Sequence, residues 1–270
     1  MSLREYVHGY SDRETQRLQE QSLILEELLH SGTIYPAGSS VLEVGCGVGA
    51  QTLILLRRNP GIRLISVDMS AESLQKAREK VEELGHANVE FRHEDILESG
   101  LNPGSFDHLF ICFVLEHMEQ PGQSLKQMLK LLKAGGTITL IEGDHSSAKW
   151  NPETKASRAA WNGLVRSQQM LGHDPDIGKR LRDIMSEAGL SRAKVEPRAV
   201  NPDQSDPLLL DGVVNQIISP MVYSAEKQVL AEGLVDPRTW KRGLNDLSRV
   251  AASPGGTFFY SWFKGVGIRT

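Results

Sequence analysis

A run of alternating glycines is the segment of this sequence best suited to hold a ligand. Gly45, Gly47 and Gly49 follow an apolar, β-rich stretch at 40–44 and precede a helical stretch that begins at Ala50. Because glycine has no Cβ, the backbone there bends sharply and approaches a bound molecule closely. The spacing Gly45-x-Gly47-x-x-Ala50 also satisfies the dinucleotide fingerprint, so the segment alone leaves open which adenosine cofactor it binds, or whether it is a plain strand-to-helix turn.

Three carboxylates at the ends of the first three predicted strands bear on that choice. Asp68 comes nineteen residues after Gly49, where a carboxylate accepts hydrogen bonds from both hydroxyls of a ribose. Glu43 lies two residues before Gly45, where negative charge disfavours a diphosphate and favours a cationic ligand. Asp95 is placed to accept a hydrogen bond from an adenine amino group; the alternatives are a helix N-cap or a solvated loop acid.

Further polar side chains follow the fifth predicted strand, in the segment Glu142-Gly143-Asp144-His145. The carboxyl ends of parallel strands face the ligand crevice, so Asp144 and His145 are candidates for contacting a substrate and removing its proton. The alternative is that they cap the next helix or hydrogen-bond the loop, with Glu142 as a paired structural acid. The isolated histidines elsewhere have no metal-ligand partners at helical spacing, so no metal site is predicted.

Strands and helices alternate along residues 40–145 and must position these side chains. The predicted strands are 40–44, 63–67, 88–93, 106–113 and 136–142, and the predicted helices between them are 50–58, 70–84 and 120–132. This alternation predicts a parallel sheet with helices on both faces. A helix at 12–31 precedes this region, and it is followed by helices at 153–171, 178–189, 208–232 and 236–252 and strands at 192–198 and 257–264.

The composition limits the class of protein. The 270 residues are 40% hydrophobic and 24% charged with a net charge of −4, which excludes a collagen-like or wholly disordered chain. The negative balance argues against a nucleic-acid partner held by phosphate contacts. Two cysteines, Cys46 and Cys112, are too few for a disulfide framework and suit a reducing compartment. Without an apolar leader or a membrane-spanning apolar run, we expect a soluble cytoplasmic protein with no membrane partner.

Five short motifs occur in a fixed order within residues 35–145. They are Glu43–Gly49, Val67–Ser70, Glu94–Ile96, Phe106–Asp107 together with Cys112–His117, and Leu132–Gly136. In order and spacing they resemble the successive motifs of class I S-adenosylmethionine-dependent methyltransferases. The segments Glu5–Ser11 and Gly256–Tyr260 also resemble those of uncharacterised bacterial and archaeal members of this family.

The resemblance implies a Rossmann-like, doubly wound α/β fold, with a seven-stranded, mostly parallel sheet whose last strand is antiparallel. It implies an N-terminal helical lid segment at 1–34, a cofactor-binding core at 35–200, a helical cap insertion at 201–253 and the final core strand at 254–270. Members usually join strands six and seven by a short turn, whereas about sixty residues intervene here. We expect this insertion to serve substrate recognition.

The resemblance also implies which residues hold S-adenosylmethionine. Asp68 would hold the ribose hydroxyls, Met69 would pack on the adenine, and the backbone of Phe113 would lie near the sulfonium. Tyr10 would belong to an aromatic lid that attracts the sulfonium charge, or else to a segment packed on the surface or mobile. The full implied set is Tyr10, Glu43, Gly45, Cys46, Gly47, Gly49, Asp68, Met69, Asp95, Ile96, Phe113 and His117.

The predicted function is methyl transfer to a small molecule, with an amine nitrogen as the favoured acceptor and a thiol, hydroxyl or carbon as alternatives. In-line displacement from a sulfonium mainly requires alignment and exclusion of water, so no catalytic triad is needed. Ile111–Val114 lacks the Asn/Asp-Pro-Pro-aromatic signature of base methylation, which again argues against nucleic acid. Two other functions stay open, an NAD(P)-dependent oxidoreductase and a non-catalytic cofactor-binding regulatory subunit. We expect a monomer or homodimer.

Overall fold

The computed structural model describes residues 12–86, 88–190 and 192–270. Tyr10 and the rest of the N-terminal aromatic segment lie outside the described residues. Within the described ranges, no helix combines the length and the apolar composition needed to cross a membrane.

Seven strands form one sheet in the order β3-β2-β1-β4-β5-β7-β6. Strand β1 lies between β2 and β4, and the pairs β1–β2, β1–β4, β2–β3 and β4–β5 are parallel. The strands are β1 Ser40–Val44, β2 Arg63–Asp68, β3 Val89–His93, β4 Phe106–Cys112, β5 Leu132–Asn151, β6 Lys194–Val200 and β7 Thr257–Ile268.

The last strands run antiparallel, as the resemblance implied. At one end of β5, the backbone N–H of Arg269 donates to the carbonyl of Gly136 at 2.8 Å. At the other end, the Asn151 side-chain amide donates to the carbonyl of Gly255 at 2.8 Å. The start of β5 therefore lies beside the end of β7, and the end of β5 lies beside the start of β7. The predicted fold class is confirmed.

The helices are α1 Asp12–Ile24, α2 Glu26–His30, α3 Ala50–Arg58, α4 Ala71–Glu83, α5 Pro121–Met128, α6 Lys155–Met170, α7 Leu181–Glu187, α8 Pro207–Asp211, α9 Ser219–Ser224, α10 Glu226–Ala231 and α11 Pro237–Ser248. Local sequence sets several of their starts. The Ser70 hydroxyl accepts the Ser73 N–H before α4, and Thr154 forms a capping box with Ser157 before α6.

Two predicted helices are interrupted in the structure. The predicted helix at 12–31 breaks at Leu25 into α1 and α2. The predicted helix at 208–232 is α8, a π-helical segment Gly212–Ile218, α9 and α10 in succession. Pro220 removes one backbone donor within that stretch, which explains why regular α-helical bonding does not continue through it.

Strand β5 is much longer than predicted, from Leu132 to Asn151 instead of 136 to 142. Its first part pairs with β4, and beyond that pairing the Ser147 hydroxyl accepts the Ser261 N–H of β7 at 2.9 Å. Because β7 comes more than 100 residues later, local sequence could not signal this extension. The segment 142–145 therefore lies inside β5, and the prediction that it follows the strand or caps a helix is wrong.

The described chain divides into two compact units. One contains the described residues up to Leu25, Asp144–Asp176 and Ala199–Ser261; the other contains Glu26–Gly143, Ile177–Arg198 and Trp262–Thr270. The first unit groups α6 with the helices that precede β7, and the second contains the glycine-rich segment. The predicted boundaries after residues 34, 200 and 253 stay a prediction.

Within the second unit, buried Lys264 of β7 fixes the chain that follows α2. Its ammonium donates to the carbonyls of Leu29 at 3.1 Å and Ser31 at 2.8 Å and to the Thr33 hydroxyl at 2.5 Å. Burial lowers the pKa of Lys264 to about 8. The ammonium thus offsets its own desolvation by satisfying carbonyls at the end of a helix.

We expect Lys264→Met to lower the free energy of unfolding by about 2 kcal/mol, because three acceptors, two of them buried, lose a charged donor. Urea unfolding followed by circular dichroism measures this change. Lys130→Met, at an exposed position, is the matched control and should shift stability by less than about 0.5 kcal/mol. Equal stability of the two variants would contradict the role given to Lys264.

Candidate functional site

All three glycines after β1 have left-handed backbone. The φ angles are 68° at Gly45, 52° at Gly47 and 78° at Gly49. The N–H of Gly45 donates to the carbonyl of Val67 at the end of β2, at 2.8 Å. The bend is thus tied to the neighbouring strand and needs residues without a Cβ.

The surroundings of these glycines differ in a way that indicates where a ligand fits. A Cβ on Gly45 would collide with the side chain of Val114, and a Cβ on Gly49 would lie 3.0 Å from that of Ala77. A Cβ on Gly47 would meet nothing within 4 Å. Packing therefore explains Gly45 and Gly49, whereas the Cβ position of Gly47 borders open space.

Asp68, at the end of β2, lies directly beside this opening. Its Oδ2 accepts the N–H of Gly47 at 2.8 Å and its Oδ1 accepts the N–H of Ser70 at 2.8 Å. Burial raises the pKa of Asp68 above its ordinary value, while these N–H groups oppose the rise. A carboxylate has about four acceptor positions, so the group is able to bind a hydroxyl of a ligand as well.

Glu43 is buried beneath the loop, at the strand end where a negative charge was expected. It is 1% exposed, and its Oε2 accepts the hydroxyls of Thr52 and Ser66, both at 2.6 Å. Its Oε1 has no hydrogen-bond partner among the described residues. Burial raises the pKa of Glu43 to about 7, so near neutral pH the carboxyl is only partly ionised. Its role toward a cofactor stays a prediction.

Asp95 and Met69 lie at the ends of β3 and β2. Oδ1 of Asp95 accepts the N–H of Leu97 at 2.9 Å, so this carboxylate shapes the local turn, and Ile96 beside it is buried. The Met69 side chain is 42% exposed, and its carbonyl is hydrogen-bonded to Nε2 of His93 at 2.9 Å. An exposed thioether beside Asp68 offers an apolar surface to a ring.

The chain after β4 turns sharply at Phe113, whose φ of 59° is the only positive value at a non-glycine residue in the described chain. The next two N–H groups, of Val114 and Leu115, donate to Oε1 of Glu142 at 3.1 and 2.8 Å. His117 follows and is partly exposed. A paired structural acid was one alternative for Glu142, and its partners here are these backbone groups.

The other unit contains Asp144 and His145. Oδ1 of Asp144 accepts the N–H of Ser146 at 3.1 Å and its hydroxyl at 2.6 Å, so part of this carboxylate shapes the strand locally. Nδ1 of His145 shares a hydrogen bond of 2.7 Å with the Tyr260 hydroxyl. The Trp161 indole N–H donates to the His145 carbonyl at 3.2 Å.

His145 is the better candidate of the two for contact with a substrate. Its ring is 6% exposed, and Nε2 has no hydrogen-bond partner among the described residues. Burial lowers the pKa of His145 to about 4, so the imidazole is neutral at pH 7. A neutral imidazole with a free nitrogen is able to accept or donate one further hydrogen bond, depending on its tautomer.

The comparison with protein families gives one decisive match. Residues 36–189 match a family model described as a methyltransferase domain, which is more than half of the chain. The chain belongs to this methyltransferase family. Methyltransferases of this class use S-adenosylmethionine, so the nicotinamide alternative is removed.

Curated relatives are similar over parts of their length. The methyltransferase str3 of Strobilurus tenacellus is 27% identical over 69% of this chain and 67% of its own. A phosphatidylethanolamine N-methyltransferase of Cereibacter sphaeroides is 29% identical over 52% of this chain and 65% of its own. For two other relatives, the matched segment covers only 46% and 24% of the relative's length.

A solved structure shares the fold. Phosphoethanolamine N-methyltransferase 2 of Haemonchus contortus, in complex with phosphomonomethylethanolamine and S-adenosylhomocysteine, superposes with a TM-score of 0.60 at 14% identity. The match covers 96% of this chain and 58% of that one. At this identity the likeness concerns the fold alone.

The unit that contains His145 has polar side chains that the sequence did not reveal as candidates. Tyr260 lies in a predicted aromatic strand, but nothing local indicated that it would bond His145. Gln168 of α6 is 1% exposed, and neither atom of its amide has a partner among the described residues. A glutamine in an amphipathic helix is ordinarily solvated, so its burial had no sequence signal.

We expect the stability of Glu43→Gln relative to wild type to rise with pH. The folded pKa of about 7 lies above the unfolded value of 4.5, so Glu43 stabilises the wild type at pH 4.5 and this contribution is lost as pH rises through 7. The difference between pH 4.5 and 8 should approach about 3 kcal/mol.

Urea unfolding without cofactor, at several pH values, measures the difference. The control is Glu82→Gln, the same substitution at an exposed position. If the stability of Glu43→Gln follows that of wild type in parallel at every pH, Glu43 is ionised in the folded state and the burial argument is wrong.

Proposed function

We propose that this protein is an S-adenosylmethionine-dependent methyltransferase that transfers the methyl group in line to the amine nitrogen of a small molecule. The observation that carries the proposal is the opening at Gly47 beside the carboxylate of Asp68. A backbone that admits close approach, next to an acceptor for ribose hydroxyls, suits an adenosyl group. The match to the methyltransferase family supports the same conclusion.

The cofactor residues are proposed on the positions described above. Asp68 binds the ribose hydroxyls, and the exposed Met69 side chain covers one face of the adenine. Asp95 and Ile96 frame the other side of the adenine, and the Phe113 backbone lies along the methionine part. Glu43, Gly45, Cys46, Gly49 and His117 complete the proposed site, with Tyr10 outside the described residues.

Methyl transfer needs little help from the protein beyond alignment. The donor already has a good leaving group, so an acceptor nitrogen must present its lone pair and water must be excluded. A relative named as a phosphatidylethanolamine N-methyltransferase supports an amine acceptor. Thiol, hydroxyl and carbon acceptors are the other outcomes of an acceptor screen.

We assign His145 to the acceptor. With a pKa of about 4, its imidazole is too weak a base to store the proton of an alkylammonium ion. It is well suited to accept a hydrogen bond from a neutral amine at Nε2, provided Nδ1 donates to Tyr260. Such a bond uses an N–H of the amine and leaves its lone pair free to attack a methyl group. Asp144, which bonds Ser146, supports the strand beside it.

Calorimetry with S-adenosylhomocysteine tests the cofactor site. We expect wild type to bind this product and not NADH, and Gly47→Val to weaken binding at least about 100-fold, because the new side chain fills the opening. Gly85→Val is the matched control, since Gly85 also has positive φ and nothing within 4 Å of its Cβ position. Its strain is similar, so it should bind like wild type. Equal affinity of all three proteins would exclude the Gly47 site.

A panel of small amines with radiolabelled S-adenosylmethionine tests the acceptor role of His145. For the best acceptor, His145→Ala should lower kcat about 10- to 100-fold with an unchanged KM for the cofactor. Tyr260→Phe, which leaves the imidazole less well oriented, should give a smaller loss. The ratio of wild-type to variant rates should stay constant from pH 8 to 5, because His145 remains neutral there.

Unchanged turnover in His145→Ala would exclude His145 from acceptor binding. If the amine panel shows no turnover but thiol, hydroxyl or carbon compounds are methylated, the amine assignment is wrong. Tight cofactor binding without turnover on any class would favour the non-catalytic regulatory subunit.

A further inference from the structure

Glu142 closes the turn that follows β4. The side chain is fully buried, and its Oε1 accepts two consecutive N–H groups, from Val114 at 3.1 Å and Leu115 at 2.8 Å. The preceding N–H, of Phe113, donates to the carbonyl of Ile141 at 2.9 Å. Three successive backbone donors after β4 are thus fixed by two adjacent residues of β5.

These bonds hold a backbone conformation that the sequence disfavours. Phe113 has a φ of 59°, and for a residue with a Cβ the left-handed region is unfavourable. Strain of this kind persists only where the surroundings over-determine it, and it clusters at functional sites. Glu142 stabilises this conformation, because its oxygen binds the two N–H groups directly after Phe113.

The turn also contacts the glycine-rich loop. The Val114 side chain fills the place where a Cβ of Gly45 would lie. A shift of the turn would therefore either press on the loop or leave a gap beside it. Through Val114, the position of the turn held by Glu142 therefore affects the glycine-rich loop, to which the cofactor is assigned.

Burial disfavours a negative charge on Glu142. Burial, together with the nearby charge of Glu116, raises the pKa of Glu142 well above its ordinary value. Its second oxygen, Oε2, has no hydrogen-bond partner among the described residues. The two N–H bonds depend on the reach of one oxygen, which a neutral amide also provides.

We propose that Glu142 is a positioning residue, which holds Phe113 in the left-handed conformation so that the turn after β4 completes the cofactor cradle. The inference rests on the proposed function, because it assigns the adenosyl cofactor to this unit.

Two substitutions of Glu142 distinguish the position of its oxygen from its acidity. Glu142→Gln keeps an oxygen at the same distance and removes the acid, whereas Glu142→Asp keeps the acid and withdraws the oxygen by one methylene. In calorimetry with S-adenosylhomocysteine, we expect Glu142→Gln to bind within about 2-fold of wild type and Glu142→Asp to bind at least about 5-fold more weakly. The reverse order would mean that the acid itself is needed and would overturn the proposal.

A double-mutant cycle with Phe113→Gly tests the link to backbone strain. Glycine adopts positive φ without penalty, so Glu142→Asp should weaken binding by only about 2-fold in the Phe113→Gly background. If Glu142→Asp causes only a general structural defect, it should weaken binding by the same factor in both backgrounds. That result would contradict the proposal. The affinity of Phe113→Gly alone is the reference from which the factor in that background is calculated.

Amide hydrogen exchange of the segment 113–117, without cofactor, keeps the test independent of binding. Exchange should accelerate in Glu142→Asp and stay at the wild-type rate in Glu142→Gln, with both variants folded by circular dichroism. Unchanged exchange in both variants would contradict the proposal that Glu142 holds the turn after β4. If wild type does not bind S-adenosylhomocysteine, the proposed function is wrong, and so is the cofactor role of Glu142. The exchange experiment would still show whether Glu142 holds the turn.

Discussion

Parallel pairing of β1 with β2 on one side and β4 on the other is the constraint on which the candidate site depends. It brings three strand ends to one edge of the sheet, so that Asp68, the glycine-rich loop and the turn at Phe113 become neighbours. The Val67 carbonyl and the Asp68 carboxylate of β2 bind the loop after β1. The Val114 side chain after β4 occupies the space beside Gly45. No single strand contains the site, which exists only where the three end together.

Buried carboxyls provide the fixed points of this edge. Glu43 and Glu142 are almost completely inaccessible, and burial raises the pKa of each. A buried carboxyl is costly unless its oxygens are used, and each residue spends one oxygen on two donors. Glu43 thereby joins β1 to α3 and β2, and Glu142 joins β5 to the turn after β4. Both acids organise the walls of the cradle more than they supply charge to a ligand.

The first unit shows a different use of burial. The aromatic rings of Trp161 and Tyr260 surround the His145 imidazole, with ring centroids 5.4 and 5.8 Å from it. In this apolar setting the neutral form is favoured, and Nε2 has no hydrogen-bond partner among the residues that the structure describes. The side-chain amide of Gln168 also has no hydrogen-bond partner among the described residues. Groups of this kind destabilise a fold and are typically retained for binding.

The sequence alone determined the order of strands and helices, the glycine bend, the position of Asp68 and the family, because each depends on residues close together in the chain. The antiparallel final strand followed only from the family resemblance. Tertiary structure decided the length of β5, since that depends on pairing with a strand more than 100 residues away. It also decided that Glu43 is buried, that Glu142 binds backbone N–H groups 27 and 28 residues earlier, and that His145 meets Tyr260. The ionisation and hydrogen bonding of these groups depend on burial and distant partners, which no local pattern of residues encodes.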